Sequence, residues 1–264
     1  MRVPFLGKSI PAAVWFLAAV SLGIVLGGWL LHDGGAAQVK VYESGIVWPE
    51  PKVVTPGTNG SPPSDAIILF DGKNMDAWNG GEKWKIEDGA ATAASFVSTK
   101  QPFSDCQLHV EFASPAKVRG SGQGRGNNGI GFMESRYEIQ VLDSWQNPTY
   151  LDGMCAALYK QRPPMVSPSR KPGEWQTYDI IFEAPRFAGQ KLTRPAYVTV
   201  MHNGVLVHNH VEIQGVTAYD RPPEYKAHAA KLPITLMYHG DPVRFRNIWI
   251  REFKELEGKK PAPR

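Results

Sequence analysis

Apolar and polar residues alternate in a series of short segments along this chain, and glycine and proline accumulate between the segments. In residues 107–113, Leu108, Val110 and Phe112 would lie on one face of a strand and the polar residues on the other. A period of two residues is that of a β-strand. The same pattern predicts further strands at residues 128–133, 137–145, 177–184, 196–213, 233–240 and 243–253. Many short strands joined by such turns predict an all-β sandwich or jelly roll.

The clearest supersecondary signal is residues 196–213, where two alternating runs meet at Asn203 and Gly204. Both residues tolerate a positive φ angle, and a type I′ turn requires one at each of its two central positions. The segment therefore predicts a β-hairpin.

The first 37 residues have the pattern of a targeting segment. Arg2 and Lys8 precede an apolar stretch over residues 10–31, which is long enough to cross a bilayer, and small residues follow it. We expect residues 1–37 to form a signal peptide or a membrane-anchor helix, with cleavage slightly favoured, and the protein to be exported to the periplasm or cell envelope. No cysteine directly follows the apolar stretch, which excludes a lipoprotein anchor.

The rest of the chain divides by composition. Residues 38–65 are rich in proline, glycine and serine and are interpreted as a linker, whereas residues 66–253 carry the strand pattern. Residues 254–264 form a basic tail. A chain of 264 residues is long enough for one large β domain with a core. Its net charge of +4 is too small to indicate a nucleic-acid partner.

Two cysteines, Cys106 and Cys155, leave two interpretations open. In an oxidising compartment they could pair, and otherwise they are buried free thiols. Without clustered histidines they form no zinc motif. His202, His208 and His210 resemble a metal-binding set, but a hairpin arm with exposed polar residues is the favoured interpretation.

The strand at residues 137–145 raises the first question about function. Glu138 and Gln140 share one of its faces, opposite an apolar face that suits a core. The irregular segment 144–174 leaves directly from this strand, and a loop of that length inside a compact domain is usually functional. The face with Glu138 and Gln140 is therefore a candidate floor of a binding site.

Residues near the ends of two other strands could complete such a site. His239 ends one strand, and Arg244 and Arg246 share a face at the start of the last strand. Close to Glu138, they would add an imidazole and guanidinium donors to a carboxylate, which suits acid–base work on a polyhydroxylated ligand. Each residue also has a structural interpretation: a solvated carboxylate, a turn cap and ordinary ion pairs.

Aromatic residues cluster in or beside segment 144–174, namely Trp145, Tyr150, Tyr159 and Trp175. Aromatic ring faces pack against the apolar C–H faces of sugars, so the cluster favours a carbohydrate ligand. For Trp175, a place in the core is the favoured interpretation.

Seven segments now point to a family: LFDGKNMDAW, WKIEDGA, NNGIGFM, YEIQVLDSW, RKPGEWQTYDIIFEAP, VTVMHNGVLV and HGDPVRFRNIWIREF. In this order they resemble the 3-keto-disaccharide hydrolase domain family, over residues 66–253. The resemblance implies a concanavalin-like β-sandwich jelly roll of two antiparallel sheets. It also implies export, a carbohydrate substrate that is a glycoside oxidised at C3, and in some members a divalent metal ion.

The activity that the resemblance implies is cleavage by elimination. A ketone at C3 acidifies the C2 proton, so the site needs a base, an electrophile for the enolate oxygen and an acid for the leaving oxygen. Glu138, His239 and Arg244 are the predicted catalytic residues, with Glu138 or His239 as the base, and Arg244, Arg246 or a metal at the enolate. The predicted substrate-binding residues are Gln140, Asn128, Arg246, Tyr159 and Trp145.

A second function remains open, because the same architecture also serves lectins. Members of the family often carry an amide and a carboxylate where this chain has Met237 and Tyr238. Their loss beside His239 favours a noncatalytic carbohydrate-binding protein of the envelope, whereas the presence of Glu138 and Gln140 favours the enzyme.

Overall fold

The computed structural model describes residues 41–260. From residue 46 onward, the described residues form one compact unit. The predicted signal or anchor segment, with its apolar stretch at 10–31, lies outside the described residues. Within the described part, no helix is both long enough and apolar enough to cross a bilayer.

The described residues form fifteen β-strands and three short 3₁₀-helices. In chain order the strands are β1 (Ile67–Phe70), β2 (Trp78–Asn79), β3 (Lys85–Glu87), β4 (Ala90–Thr92), β5 (Val97–Thr99), β6 (Cys106–Ala113), β7 (Asn128–Phe132), β8 (Tyr137–Val141), β9 (Gln176–Glu183), β10 (Arg186–Ala188), β11 (Lys191–Arg194), β12 (Tyr197–His202), β13 (Val205–Glu212), β14 (Thr235–Tyr238) and β15 (Arg244–Glu252). The 3₁₀-helices are Gly81–Lys83, Gly122–Gly124 and Leu151–Gly153.

Two antiparallel sheets contain most of these strands. The larger sheet has eight strands, in the order β13-β12-β9-β6-β15-β4-β3, with β1 paired to β15. The smaller sheet has five strands, in the order β2-β5-β14-β7-β8, and β10 and β11 form a separate two-stranded sheet. The predicted all-β sandwich of two antiparallel sheets is confirmed.

The inner face of the larger sheet carries the alternating residues that the pattern assigned to a core. Leu108 on β6 lies opposite Ile180 on β9, and Val110 lies opposite Tyr178. All four side chains are completely buried. Burial of a large apolar side chain contributes about 1.5 to 3 kcal/mol, so this face supplies much of the stability of the sandwich.

Aromatic rings join the two sheets across the core. Phe132 on β7 stacks against Phe182 on β9, with 4.4 Å between the ring centroids. Tyr137 on β8 packs against the same Phe182 ring, at 6.0 Å. Because Phe182 contacts two strands of the opposite sheet, it fixes the inner face of β8 toward the core, and this turns Glu138 and Gln140 outward.

The substitution Phe182→Ala is expected to lower the free energy of unfolding by about 3 to 5 kcal/mol, because it removes the transfer energy of the ring and leaves a cavity. Urea denaturation followed by tryptophan fluorescence measures this change. Ile181→Ala is the matched control, since Ile181 lies on the outer face and is 44% exposed. A loss at position 182 no larger than at 181 would contradict this account of the core.

The predicted hairpin is confirmed. β12 and β13 pair antiparallel and are joined by Asn203 and Gly204, whose φ angles are 51° and 77°. Two positive φ angles are the requirement of a type I′ turn. The Asn203 amide also caps the neighbouring strand, because its Oδ1 accepts a hydrogen bond from the backbone nitrogen of Thr177 at 2.9 Å.

The hairpin histidines are not an exposed polar set, and that prediction is wrong for two of them. His202 and His208 are completely buried. His202 Nε2 lies 2.8 Å from Gln176 Oε1, and His208 Nε2 lies 2.8 Å from the carbonyl oxygen of Ala156. Burial lowers the pKa of His202 to about 4. His210, in contrast, is exposed and has a φ of 46°, where the pairing of β13 with β12 is irregular.

The two cysteines are free thiols, both buried. Cys106 begins β6 on the inner face of the larger sheet, whereas Cys155 lies in the segment after β8 and its Sγ is 3.1 Å from the Tyr178 hydroxyl. Of the two interpretations that the sequence left open, the structure shows the unpaired one.

Part of the predicted linker packs on the outer face of the larger sheet. The carbonyl oxygen of Gly60 accepts hydrogen bonds from Asn247 Nδ2 at 2.9 Å and from Trp249 Nε1 at 3.0 Å. Asp65 forms an ion pair with Arg251 at 2.8 Å. The end of this segment is therefore held against β15 by side chains of the domain.

Candidate functional site

The outer face of the smaller sheet has a depression above β7 and β8. Glu138 lies opposite Gly131 in the strand pairing, and Gln140 lies opposite Gly129. A Cβ atom at Gly129 would lie 2.5 Å from Glu138 Oε1, which is closer than two such atoms can approach. Gly129 therefore leaves the space that the Glu138 carboxyl group occupies.

The substitution Gly129→Ala is expected to displace the Glu138 carboxyl group and to lower activity at this site by about tenfold or more, because small misplacements of reacting groups are costly. The steady-state rate and circular dichroism should be measured together. Gly124→Ala is the matched control, because a Cβ atom there would meet nothing within 4 Å and the backbone at that position does not have the positive φ that favours glycine. Unchanged activity in folded Gly129→Ala protein would contradict the role of the depression.

The depression opens into a cleft of about 360 Å³, which we call the candidate cleft. Its lining residues come from five parts of the chain: Asn127, Glu138, Gln140, Tyr159, Thr217, Ala218, Tyr219 and His239. Among the described residues, no lysine or arginine lines this cleft. The segment with Thr217 is fixed to β8, because the Thr217 hydroxyl accepts a hydrogen bond from the Glu138 backbone nitrogen at 3.2 Å.

Glu138 lies on the floor of the candidate cleft and is only 8% exposed. Within the described residues its carboxyl group makes no hydrogen bond or ion pair. Burial raises its pKa to about 8, because the charged form loses its hydration and gains no partner. The group therefore holds its proton at neutral pH.

His239 directly follows β14 and lines the same cleft. Burial lowers the pKa of its imidazole, and the nearby Asp241 opposes this shift only in part. The ring also packs edge-on against Phe96, with 5.7 Å between centroids. The imidazole is therefore neutral at pH 7 and can accept a proton. The candidate cleft thus has a base, His239, on one wall and a protonated carboxyl group, Glu138, on its floor.

Two amide oxygens that face this region lack a partner. Gln140 donates through Nε2 to Gln123 Oε1 at 3.0 Å and to the carbonyl oxygen of Gly153 at 3.4 Å. Gln140 Oε1 and Asn127 Oδ1 are buried and make no hydrogen bond within the described residues. A buried acceptor without a donor is costly, so these oxygens are available to a ligand.

Tyr159 completes the cleft from the segment that follows β8. That segment pairs with the strand through backbone hydrogen bonds. The Gln140 backbone nitrogen donates to the Ala157 carbonyl oxygen at 2.9 Å, and the Tyr159 backbone nitrogen donates to the Glu138 carbonyl oxygen at 3.1 Å. The Tyr159 hydroxyl lies 2.8 Å from the Tyr150 hydroxyl. Burial and this hydrogen bond raise the pKa of Tyr159, so the phenol stays protonated and can donate to a ligand.

The two predicted arginines do not belong to this site, and their expected proximity to Glu138 is wrong. Arg246 pairs with Glu111 across β15 and β6 of the larger sheet, on its outer face, and its Nε lies 2.6 Å from the Glu111 carboxylate. Its guanidinium also lies 4.0 Å from the centre of the Trp175 ring, and that of Arg244 lies 5.4 Å away. Trp175 is thus a partner of arginines rather than a core residue.

Asn128 and Trp145 do not line the candidate cleft either. Asn128 lies opposite Val141, so it has the parity of the inner face, and it donates through Nδ2 to the Asp241 carbonyl at 3.1 Å. Its neighbour Asn127 faces the cleft instead. Trp145 lies beyond the end of β8, where Lys171 Nζ is 6.0 Å from the ring centre.

Met237 and Tyr238, which replace the amide and carboxylate common in the family, lie on opposite faces of β14. Met237 pairs with Gly129 and so shares the face of the cleft. Tyr238 pairs with Asn128 and packs against the core. Only the residue at 237 therefore removes a polar group from the face that carries Glu138.

The comparisons with known proteins agree with this architecture. The family model described as 3-keto-alpha-glucoside-1,2-lyase-like domain matches residues 65–251. The chain belongs to this family. A solved structure of a putative glycosyl hydrolase from Parabacteroides distasonis is 43% identical, with a TM-score of 0.74, and the match covers 81% of this chain and 95% of that one. The search of curated proteins finds no match.

Two further putative glycosyl hydrolases of Parabacteroides distasonis show the fold of this 3-keto-alpha-glucoside-1,2-lyase-like chain at lower identity. One is 16% identical with a TM-score of 0.54, over 72% of this chain and 94% of that one. The other is 23% identical with a TM-score of 0.52, over 71% of this chain and 99% of that one. Membership of the family supports a carbohydrate-active function.

Proposed function

We propose that this protein is an exported enzyme that cleaves glycosides carrying a ketone at C3 of the sugar, by elimination across C1 and C2. The family match and the candidate cleft support this proposal. One observation carries it: a buried carboxyl group with a pKa of about 8 lies in the same cleft as an imidazole whose pKa is lowered. Two groups whose pKa values are moved in opposite directions form an acid–base pair at neutral pH.

His239 is the base in this proposal. A ketone at C3 lets the charge left by loss of the C2 proton spread onto the carbonyl oxygen, so an imidazole that is neutral at pH 7 can take that proton. The electron pair of the C2–H bond forms an enolate, and His239 becomes an imidazolium.

Glu138 is the acid that faces the developing enolate. Its proton remains on the carboxyl group at neutral pH and can form a hydrogen bond to the C3 oxygen as that oxygen gains charge. Among the described residues no arginine or lysine lines the candidate cleft, so in this proposal Glu138 supplies the hydrogen bond to the enolate that the resemblance assigned to Arg244, Arg246 or a metal.

The second half of the reaction expels the leaving group. The enolate electrons form the C1–C2 double bond, the bond from C1 to the glycosidic oxygen breaks, and the imidazolium of His239 returns its proton to that oxygen. The products are an alcohol and an unsaturated 3-keto sugar. Addition of water, with hydroxyl at C1 and a proton at C2, then completes a net hydrolysis.

The remaining polar groups orient the sugar. Gln140 Oε1 and Asn127 Oδ1 accept hydrogen bonds from ring hydroxyls, because both are buried and unpaired within the described residues. Tyr159 donates through its protonated phenol. A sugar that lacks one of these hydroxyls would leave a buried acceptor unpaired. The site therefore selects strongly for the sugar that carries the hydroxyl.

A divalent cation also fits this set of donors. The described residues hold no group of three or more His, Cys, Asp or Glu suited to a metal, but amide oxygens and carboxylates are ligands of hard cations. Asn127 Oδ1, Gln140 Oε1 and the Glu138 carboxylate would hold it. A cation bound there would supply positive charge to the enolate oxygen. Its binding would require Glu138 to lose its proton.

The test is release of sugar from 3-keto-trehalose and from 3-keto-glucosides by the purified protein, with EDTA and with added Mg²⁺ or Mn²⁺. Turnover in EDTA is the expected result if the Glu138 proton suffices, and turnover only with metal would assign the charge to the cation. Saturable binding without release would support the carbohydrate-binding protein instead, which the apolar Met237 beside the cleft favours. The unoxidised glucosides are the control, and cleavage of them at the same rate would contradict the role of the ketone.

The place of action is part of the same proposal. The apolar stretch at residues 10–31 supports export to the periplasm or cell envelope, with a membrane tether if it is retained. Cell fractionation with an antibody to the domain, together with the mass of the mature N-terminus, distinguishes the cleaved from the anchored form.

A further inference from the structure

A second cavity of about 340 Å³ adjoins the candidate cleft at one end of the sandwich. Its lining residues are Pro115, Lys117, Val118, Arg119, Arg125, Gly126, Asp143, Gly240, Asp241 and Pro242. Two chain segments form a wall shared with the cleft: Asn127 follows Gly126, and Gly240 follows His239. A hydrogen bond joins these segments, since the Asn127 backbone nitrogen donates to the Asp241 carboxylate at 2.9 Å.

The charges of this cavity are unbalanced. Arg125 Nε pairs with the Asp143 carboxylate at 2.6 Å, and the Asp241 carboxylate is engaged by Asn127. Lys117 and Arg119 are exposed and make no ion pair or hydrogen bond within the described residues. Three cations face two carboxylates, and the two unpaired cations are the ones that a ligand can reach.

The other walls suit a ring. Pro115, Val118 and Pro242 contribute apolar surface to the cavity. A pocket with apolar walls and a few polar groups orients a ring by its polar substituents. The combination fits a cyclic group that carries an anionic substituent.

The direction of the leaving group follows from His239. In the proposed reaction, the glycosidic oxygen receives its proton from His239, so it must lie within hydrogen-bond reach of that imidazole. Gly240 and Asp241 follow His239 directly and form the wall of the second cavity. The group attached to the far side of that oxygen therefore enters this cavity.

We infer that the second cavity is the subsite for the leaving group, and that it selects glycosides whose leaving group bears a carboxylate. This inference rests on the proposed function. Lys117 and Arg119 hold the carboxylate, and Pro115, Val118 and Pro242 hold the ring. Charge-assisted contacts of exposed side chains predict a modest preference, about three- to tenfold in kcat/KM, which salt weakens.

The experiment compares two 3-keto-glucosides that differ only in their leaving groups, 4-carboxyphenol and its uncharged 4-carbamoyl counterpart. The wild-type protein is expected to prefer the carboxylate, and the double variant Lys117→Gln, Arg119→Gln is expected to lose the preference while it retains turnover of the neutral substrate. The variant Lys83→Gln, Lys191→Gln is the control, because it removes two exposed positive charges elsewhere and should keep the preference. Equal preference in all three proteins, or none in the wild type, would overturn the inference.

Failure of the proposed function has a different signature. Calorimetric titration with the two unoxidised glucosides measures binding without any cleavage. Tighter binding of the carboxylated glucoside by the wild type, lost in the Lys117 and Arg119 variant, would support the subsite even if no glycoside were cleaved. Equal binding of both glucosides by the wild type would reject it, whatever the activity.

Discussion

Replacement of His239 by asparagine is expected to lower kcat/KM for a 3-keto-glycoside by about 10²- to 10⁴-fold, the usual contribution of a positioned general base. Among the described residues that line the candidate cleft, His239 is the one whose pKa burial lowers, so its imidazole is free to accept a proton at neutral pH. Asparagine keeps a polar side chain of similar reach but cannot accept the C2 proton. Steady-state rates at pH 7 measure the effect.

The control for this variant is His210→Asn on β13 of the larger sheet, which removes an exposed histidine that is not among the residues lining the cleft. It should leave the rate unchanged. Binding of the unreacted glycoside by His239→Asn should persist, because Gln140 and Asn127 still offer their oxygens. A His239→Asn protein that cleaves the substrate within a factor of about three of the wild type would rule out this base.

The substitution Glu138→Gln is expected to cost about 10²- to 10³-fold in kcat/KM, similar to the loss of an oxyanion-hole donor. The amide has the size of the carboxyl group and still reaches the C3 oxygen, but it carries no acidic proton. Glu134→Gln is the control, since Glu134 lies in the turn between β7 and β8, has an exposed side chain and is not among the residues lining the cleft. Full activity of Glu138→Gln would contradict the role of the buried acid.

The same variant is expected to be more stable than the wild type at alkaline pH. In the folded protein Glu138 holds its proton up to about pH 8, whereas the unfolded chain releases it near the usual pKa of 4.5. Because the folded state binds more protons in this window, the wild-type free energy of unfolding falls as the pH rises from about 4.5 to about 8. Glu138→Gln lacks this decline, and denaturation in EDTA at pH 4.5 and pH 8.5 measures it. An equal pH dependence in both proteins would contradict a raised pKa.

The period of two residues was enough to predict the sandwich, because each strand must bury one face. The parity of β8 correctly separated Tyr137 and Ile139, which are buried in the core, from Glu138 and Gln140 on the outer face. Local turn chemistry was equally informative, since Asn203 and Gly204 alone require the observed hairpin.

What the sequence could not supply is which sheet each strand joins. β14 and β15 are consecutive, yet β14 lies in the smaller sheet and β15 in the larger one. His239 and Arg244 are only five positions apart in the chain. They nevertheless face different surfaces of the sandwich, because His239 follows β14 and Arg244 begins β15. Only the long-range pairing of Arg246 with Glu111 reveals this separation.

A second limit concerns irregular segments. Asn127 and Gln123 belong to a glycine-rich stretch whose composition indicates flexibility, and no periodic signal marks them as part of a site. Their role follows from contacts: Gln123 accepts a hydrogen bond from Gln140, and Asn127 is bonded to Asp241. The same holds for Thr217 and Tyr219, which lie between strands and close one side of the cleft.

The most direct test of the proposed mechanism follows the C2 hydrogen. A 3-keto-glucoside deuterated at C2 is incubated with the protein, and the released sugar is examined by mass spectrometry, with a sample lacking protein to correct for spontaneous exchange. Elimination predicts that the released sugar has lost its deuterium and that the deuterated substrate reacts several-fold more slowly. Release of sugar that retains deuterium at C2, at an unchanged rate, would show direct displacement at C1 and would contradict the mechanism.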